Sequence, residues 1–237
     1  MEKGFTLVEF AIVLIVVGIL ITGILKLQEL ITNSQITSTV SRLENLSSAV
    51  DNFIENYNNF PGDMSNAVFR IPECNGTTCN NGNGDGDINV AIGAQNLTTE
   101  EGSYFFGQLR AAELLSGFDG RDSTEFGAAF PIAPVGGGYT VGDTDGGAAI
   151  GFDTTEMRRG AYILILQNNE DVDADSGVLT NSQAETIDRL LDDGRPDTGE
   201  VVSQNDANSC RAGTVVESYD EDDVERLCVI AYRLPQL

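Results

Sequence analysis

From Gly4 to Leu25 the chain reads GFTLVEFAIVLIVVGILITGIL, a continuous apolar run in which Glu9 is the one ionisable residue. About 20 such residues span the hydrocarbon of a bilayer as a helix, so the run predicts a membrane-crossing segment. Beyond it the apolar positions recur at threes and fours: Leu27, Leu30, Ile31, Ile36, Val40, Leu43, Leu46, Val50, Phe53, Ile54 and Tyr57. Serine, threonine, asparagine and glutamine fill the opposite face, which is the period of an amphipathic helix. One helix of over fifty residues follows from the two patterns joined, half in lipid and half laid on a domain. It should stop at Asn58-Asn59-Phe60-Pro61-Gly62-Asp63, because the residue before proline is pushed out of the helical region and Pro-Gly makes a turn. Gly18 and Gly23 are its weak points, since glycine costs about 0.5–1 kcal/mol in a helix relative to alanine.

The rest of the chain alternates loops with short regular elements. Residues 72–97 carry little periodicity and predict a loop. Thr98 with Glu101 has the spacing of a capping box, and Phe105, Leu109, Ala112 and Leu115 follow at helical spacing, ending before Gly117. Residues 118–160, rich in glycine and broken by Pro131 and Pro134, predict short strands or irregular loops. Ala161-Tyr162-Ile163-Leu164-Ile165-Leu166 is a short continuous apolar run and the best candidate for a central strand. Thr180 with Gln183 predicts a second capped helix through Ala184, Ile187, Leu190 and Leu191, closed by Gly194 and Pro196. Gly199–Val202, Thr214–Val216 and Cys228–Leu234 read as further strands.

Charge adds orientation to this picture. The chain has 237 residues and a formal net charge of −24, and all but two of its 37 acidic and two of its 13 basic residues lie beyond Lys26. Lys3 and Lys26 flank the apolar run, which places the N-terminus in the cytoplasm and the acidic bulk outside. Such a surface repels nucleic acid and anionic lipid and attracts cations. Four cysteines in an exported domain suggest disulfides. Three pairings are open, of which Cys74 with Cys79 and Cys210 with Cys228 is the simplest. A zinc site is the rival reading, disfavoured by the absence of histidine and by the wide spacing between the pairs.

The carboxylate inside the apolar run is the feature that needs a function, because an ionisable residue in hydrocarbon is costly without compensation. Gly4 followed by Phe5-Thr6-Leu7-Val8-Glu9 resembles the cleavage and methylation signal of type IV prepilins and type II secretion pseudopilins, whose leader is cut after the glycine. The bland alternative is a signal anchor that happens to hold a glutamate. A secretory signal peptide, however, has its small-residue cleavage site after the apolar run, not before it. Cleavage after Gly4 would make Phe5 the N-terminus, with an α-amino group of pKa about 7.7–8.0 one helical turn from Glu9. The resemblance implies that a prepilin peptidase cuts and methylates the chain. It also implies that an inner-membrane assembly platform receives it, and that the Phe5 amine of one copy meets Glu9 of the next to set the register of a filament.

The expected fold is α+β and pilin-like: a long N-terminal helix on a small antiparallel sheet, with loop-rich, disulfide-stapled insertions. The expected division is leader 1–4, transmembrane and filament-core helix 5–26, amphipathic half 27–60 and exported domain 61–237. The C-terminal cysteines resemble the disulfide region of many pilins. The segments around Asn58–Asp63 and Leu179–Val201 also resemble a widespread bacterial subgroup of prepilin-like proteins.

Calcium is the one small ligand for which the sequence argues. Asn81, Asn83, Asp85 and Asp87 alternate oxygen side chains, with Gly86 sixth and Ile88 eighth, as in an EF-hand or dockerin loop. Ile92 stands where the bidentate glutamate should be, so a ligand must come from elsewhere, and a solvated Asn-Gly-Asp turn is the competing reading. Asp171, Asp173 and Asp175 form a second candidate, with acidic solvation as its alternative. Asp220-Glu221-Asp222-Asp223 reads as a charged tip, and Asp192-Asp193-Gly194 could cap a turn as easily as bind metal. Without histidine there is no Ser-His or Cys-His nucleophile, and the expectation is that the chain is no enzyme. A type IV pilus-like filament subunit is the leading functional expectation. A type II secretion pseudopilin of a periplasmic filament and a membrane-anchored calcium-binding or adhesive module are its alternatives.

Overall fold

The computed structural model describes residues 7–205, 210–211, 218–220 and 225–236. The expected strand at Thr214–Val216 and the acidic tip at Glu221–Asp223 lie outside them. So does the leader junction at Gly4 and Phe5. The first element, α1 (Leu7–Tyr57), is one helix of 51 residues, as the joined periodicities require. It ends where expected: the Asn58 amide still reaches Ile54 O at 2.7 Å, and Asn58 takes the left-handed conformation that closes many helices.

A short α2 (Ala67–Arg70), absent from the sequence reading, follows the Pro61 turn. Then come α3 (Glu101–Ala111), β1 (Gly138–Asp143), β2 (Ala161–Leu166), α4 (Asn181–Leu191), β3 (Val201–Ser203) and β4 (Ile230–Arg233). The strands form one antiparallel sheet in the order β1-β2-β4-β3. Two disulfides join Cys74 to Cys79 and Cys210 to Cys228, so the chain is α+β with a stapled, loop-rich domain.

The sheet is covered on both faces, which explains the unbroken apolar run of β2. Ala161, Ile163 and Ile165 face the principal core, shared with Leu43, Leu46, Val50 and Phe53 of α1, Phe105, Phe106 and Leu109 of α3, and Ala184 and Ile187 of α4. Tyr162, Leu164 and Leu166 face a second cluster with Ile92, Phe152, Met157 and Val172, supplied by loops. β1 is a short strand within 118–160, the stretch expected to hold short strands or irregular loops, where its glycines obscure the strand pattern. A Cβ at Gly138 would meet the Phe126 ring at 2.3 Å, and one at Gly142 the Ala91 carbonyl oxygen at 2.7 Å. Glycine is there to let loops lie against the strand.

Two expectations are corrected. The capping box at Thr180 and Gln183 forms in both directions, but the one at Thr98 and Glu101 does not. The cap of α3 is Glu100, with no side-chain bond, because the Glu101 carboxylate is drawn across to the amides of Asn83 (2.8 Å) and Asn89 (3.0 Å). Leu27, Leu30 and Ile31, counted in the stripe that packs on the domain, are instead 59 %, 64 % and 59 % exposed, and burial on α1 begins at Ile36.

Packing of α3 on the Cys74–Cys79 loop yields a sharp test. A Cβ at Gly107 would stand 1.9 Å from the Thr78 carbonyl oxygen, a backbone atom that cannot swing away. Gly107→Ala should therefore lower the unfolding free energy by about 1–3 kcal/mol despite alanine's better helix propensity. Denaturant titration of the detergent-solubilised chain checks this, and an unchanged or higher midpoint would mean that helix and loop do not meet so closely. Opening Cys210–Cys228 by double serine substitution should cost about 3 kcal/mol by loop entropy, and Cys74–Cys79 about 2, measured the same way.

Candidate functional site

The first 25 described residues of α1, Leu7 to Ile31, are exposed without exception. Seventeen large apolar side chains lie among them, from Leu7 at 86 % to Ile31. No atom lies within 4 Å of a Cβ placed at Gly18 or Gly23, so neither glycine answers to a neighbour inside the molecule. Thr22 donates to Gly18 O at 2.9 Å, which satisfies its hydroxyl within the helix. Glu9 lies in the first turn. At the far end Lys26 pairs with Glu29 at 2.8 Å. The segment is long and apolar enough to cross a membrane.

The expected calcium loop is built differently from its pattern. The Asn81 carboxamide oxygen accepts from the Val68 amide at 3.0 Å, and the Asp85 carboxylate accepts from the side-chain amides of Asn83 (2.8 Å) and Asn89 (3.1 Å). Asn83 stays beside Asp85, while Asp85 gathers with Asp63 and Glu101, and Asp87 with Asp143 and Asp145, each set with carboxylate oxygens within 4.8 Å of one another. With Asp188, Asp192 and Asp193 as a third set, these are the described carboxylates that could hold a cation. Sequence reading missed Asp63, Glu101 and Asp143, which come from a turn, a helix start and a strand end.

Asp63 and Glu101 are buried carboxylates with a structural task as well. Asp63 accepts from the amides of Gly84 (2.6 Å), Asp85 (3.0 Å) and Gly86 (3.0 Å), and with Glu101 it pins residues 83–89 to the core. Burial raises the pKa of both, more than these amide bonds lower it. Gln108, fully buried, completes the clasp by accepting from Gly62 N at 2.8 Å and donating to Asn80 O at 2.8 Å. Among Asp171, Asp173 and Asp175, Asp171 accepts from Gln95 N, while Asp173 accepts from Asp175 N and the Ser176 hydroxyl. Asp173 thus shapes a local turn, while Asp171 ties that turn to the distant Gln95 segment.

The C-terminal region holds two further polar centres that periodicity does not reveal. Arg211, 4 % exposed, forms a two-pronged ion pair with Glu156 (3.0 and 2.7 Å) and donates to Pro196 O and Ser203 O. Asp188, fully buried on α4, accepts from the Tyr219 hydroxyl at 2.8 Å and Gly194 N at 3.0 Å. Asp192 and Asp193 stand beside it, with Gly194 turning the chain at positive φ. Burial raises the Asp188 pKa to about 7, against the lowering by these two bonds, and the neighbouring aspartates add to the rise.

Comparison of the chain with protein-family profiles, curated proteins and solved structures gave no match.

The Asp188 shift predicts a pH dependence. Folded Asp188 holds its proton up to about pH 7, whereas the unfolded carboxyl loses it near 4. Its contribution is therefore fully present below pH 4 and is lost as pH rises to about 7, with a slope of at most about 1.4 kcal/mol per pH unit. Asp63, Glu101 and Asp143 are shifted in the same direction. Urea midpoints should fall from pH 5 to pH 8, and Asp188→Asn, which can still bond Tyr219 and Gly194, should flatten the fall. A slope unchanged in the variant would refute the assignment to Asp188.

Proposed function

We propose that the chain is a type IV pilus-like filament subunit, held in the membrane by the first half of α1 and polymerised through it. The observation that carries this reading is the extent of apolar surface on Leu7–Ile31 that the folded chain leaves uncovered. At 1.5 Å per residue the segment is about 37 Å long, against roughly 30 Å of hydrocarbon. Seventeen large apolar side chains held in water represent roughly 25–50 kcal/mol of unrealised burial. That surface requires lipid before assembly and other copies of itself after it.

Glu9 is what distinguishes assembly from anchoring. An ionisable residue within a membrane-crossing helix is costly, and a simple anchor gains nothing from it. Cut after Gly4, the chain offers the Phe5 amine at the same depth, so each copy carries one anion and one cation in its apolar seam. Matched between neighbours, the pair favours the axial offset that brings the Phe5 amine of one copy to Glu9 of the next. The resemblance of Gly4-Phe5-Thr6-Leu7-Val8-Glu9 to the prepilin signal supports the same reading and brings with it a prepilin peptidase and methyltransferase and an inner-membrane assembly platform. The acidic domain would then form the filament surface, on a pilus or a type II secretion pseudopilus. The second reading, a membrane-anchored binding module that never polymerises, draws on the carboxylate sets around Asp63 and Asp143.

Glu9→Ala separates the two. Expressed in place of the natural chain, it should still fractionate with membranes but should lose the sedimentable, sheared filament fraction by an order of magnitude or more. Equal filament yield from Glu9→Ala and the unaltered chain would remove the charge-register mechanism and favour the anchored module.

A further inference from the structure

The sequence contains three Asn-x-Ser/Thr triplets, at Asn45, Asn75 and Asn96, the acceptor pattern for N-linked sugar in an exported chain. Two are closed by the fold. Asn96 is fully buried, its Nδ2 donating to Val141 O at 2.9 Å and its Oδ1 accepting from Val141 N at 3.1 Å. Asn45 is fixed within α1, where helical backbone on both sides forbids the bend that an acceptor triplet adopts in a transferase site.

Asn75 differs in each respect. It stands at the tip of the loop that Cys74–Cys79 closes, with Glu73, Gly76 and Thr77 exposed around it. Gly76 has φ +77° and its amide donates to Cys79 O at 2.9 Å. The bend is thus built into the loop, and a Cβ at Gly76 would find open space. Asn75 Oδ1 accepts from Thr77 N at 2.9 Å. This Asx turn folds the carboxamide toward the residue two ahead, the one whose hydroxyl the acceptor pattern requires. Thr77 is free for that role, whereas the next residue, Thr78, is spent on Gly120 O.

We propose that Asn75 is an N-glycosylation site, presented on the outer surface by the Cys74–Cys79 loop; this rests on the reading that places the domain outside the cytoplasm. The co-substrate is a sugar chain carried on a lipid pyrophosphate. Asn75 Nδ2 forms a bond to the anomeric carbon and the carbon–oxygen bond to the pyrophosphate breaks. The lipid pyrophosphate leaves with the electron pair, and one proton passes from Nδ2 to a basic group of the transferase. Glu73, two residues before Asn75, offers a carboxylate to a transferase that reads one there.

The test is mass spectrometry of proteolytic peptides, without reduction and with it, from the full-length chain purified from its own cells. Sugar is expected on Asn75, with occupancy reduced to background in Asn75→Gln and Thr77→Ala and retained in Thr77→Ser, which keeps the hydroxyl. Asn45 and Asn96 should be bare. An unmodified Asn75, or one showing only conversion of its amide to acid, overturns the proposal. If Cys74–Cys79 is oxidised in that material, the exported placement stands and glycosylation alone falls; if the cysteines are reduced, both fall. Sugar that persists in both Asn75→Gln and Thr77→Ala also overturns it.

Discussion

The rest of the structure depends on a single uncovered surface. A helix whose first 25 described residues are all exposed, seventeen of them large and apolar, cannot persist in water, since the free energy at stake far exceeds the 5–15 kcal/mol by which domains are stable. Everything beyond Ile36 reads as a device for carrying that helix. Leu43, Leu46, Val50 and Phe53, all fully buried, weld its second half to the sheet and to α3 and α4. The exposed half continues from the welded half as one helix, with no proline or cap between them. A contact made by the apolar half is therefore transmitted along α1 to the domain.

The domain manages an unusual load of buried charge by two means. Carboxylates are met by backbone amides, as at Asp63 and Glu101, so that loops lacking regular structure acquire fixed positions. One arginine, Arg211, is used where the C-terminal disulfide segment joins the body, held by Glu156 and two carbonyls. Amide donors stabilise an anion without bringing a counter-charge, which leaves the protein strongly acidic. On a filament surface that acidity favours solubility and repels like surfaces.

Legibility in the sequence followed the length over which each signal is written. The 51-residue helix, the β2 run and the Thr180–Gln183 cap each rest on residues that act with near neighbours, and each appears where periodicity places it. The Thr98–Glu101 cap has the same local pattern and fails, because Glu101 is claimed by amides 12 and 18 residues away. The candidate ligand loop likewise meets residues that its own pattern does not contain. Asn81 is taken by Val68, and the carboxylates beside Asp85 and Asp87 come from Asp63, Glu101 and Asp143. No local pattern announces a partner brought in by tertiary folding. Exposure is the other blind spot: Leu27, Leu30 and Ile31 keep the helical period of the stripe but lie past the domain's edge, and periodicity gives a face without saying what covers it.

Processing at Gly4 is the premise of the proposed charge pairing between Phe5 and Glu9, and the N-terminus of the mature chain reports it directly. Intact mass and N-terminal fragmentation of the chain recovered in sheared filaments should show a mature protein beginning at N-methylated Phe5, with both disulfides intact until reduction. A chain in that fraction still beginning at Met1 would leave Glu9 without the Phe5 amine and contradict the account.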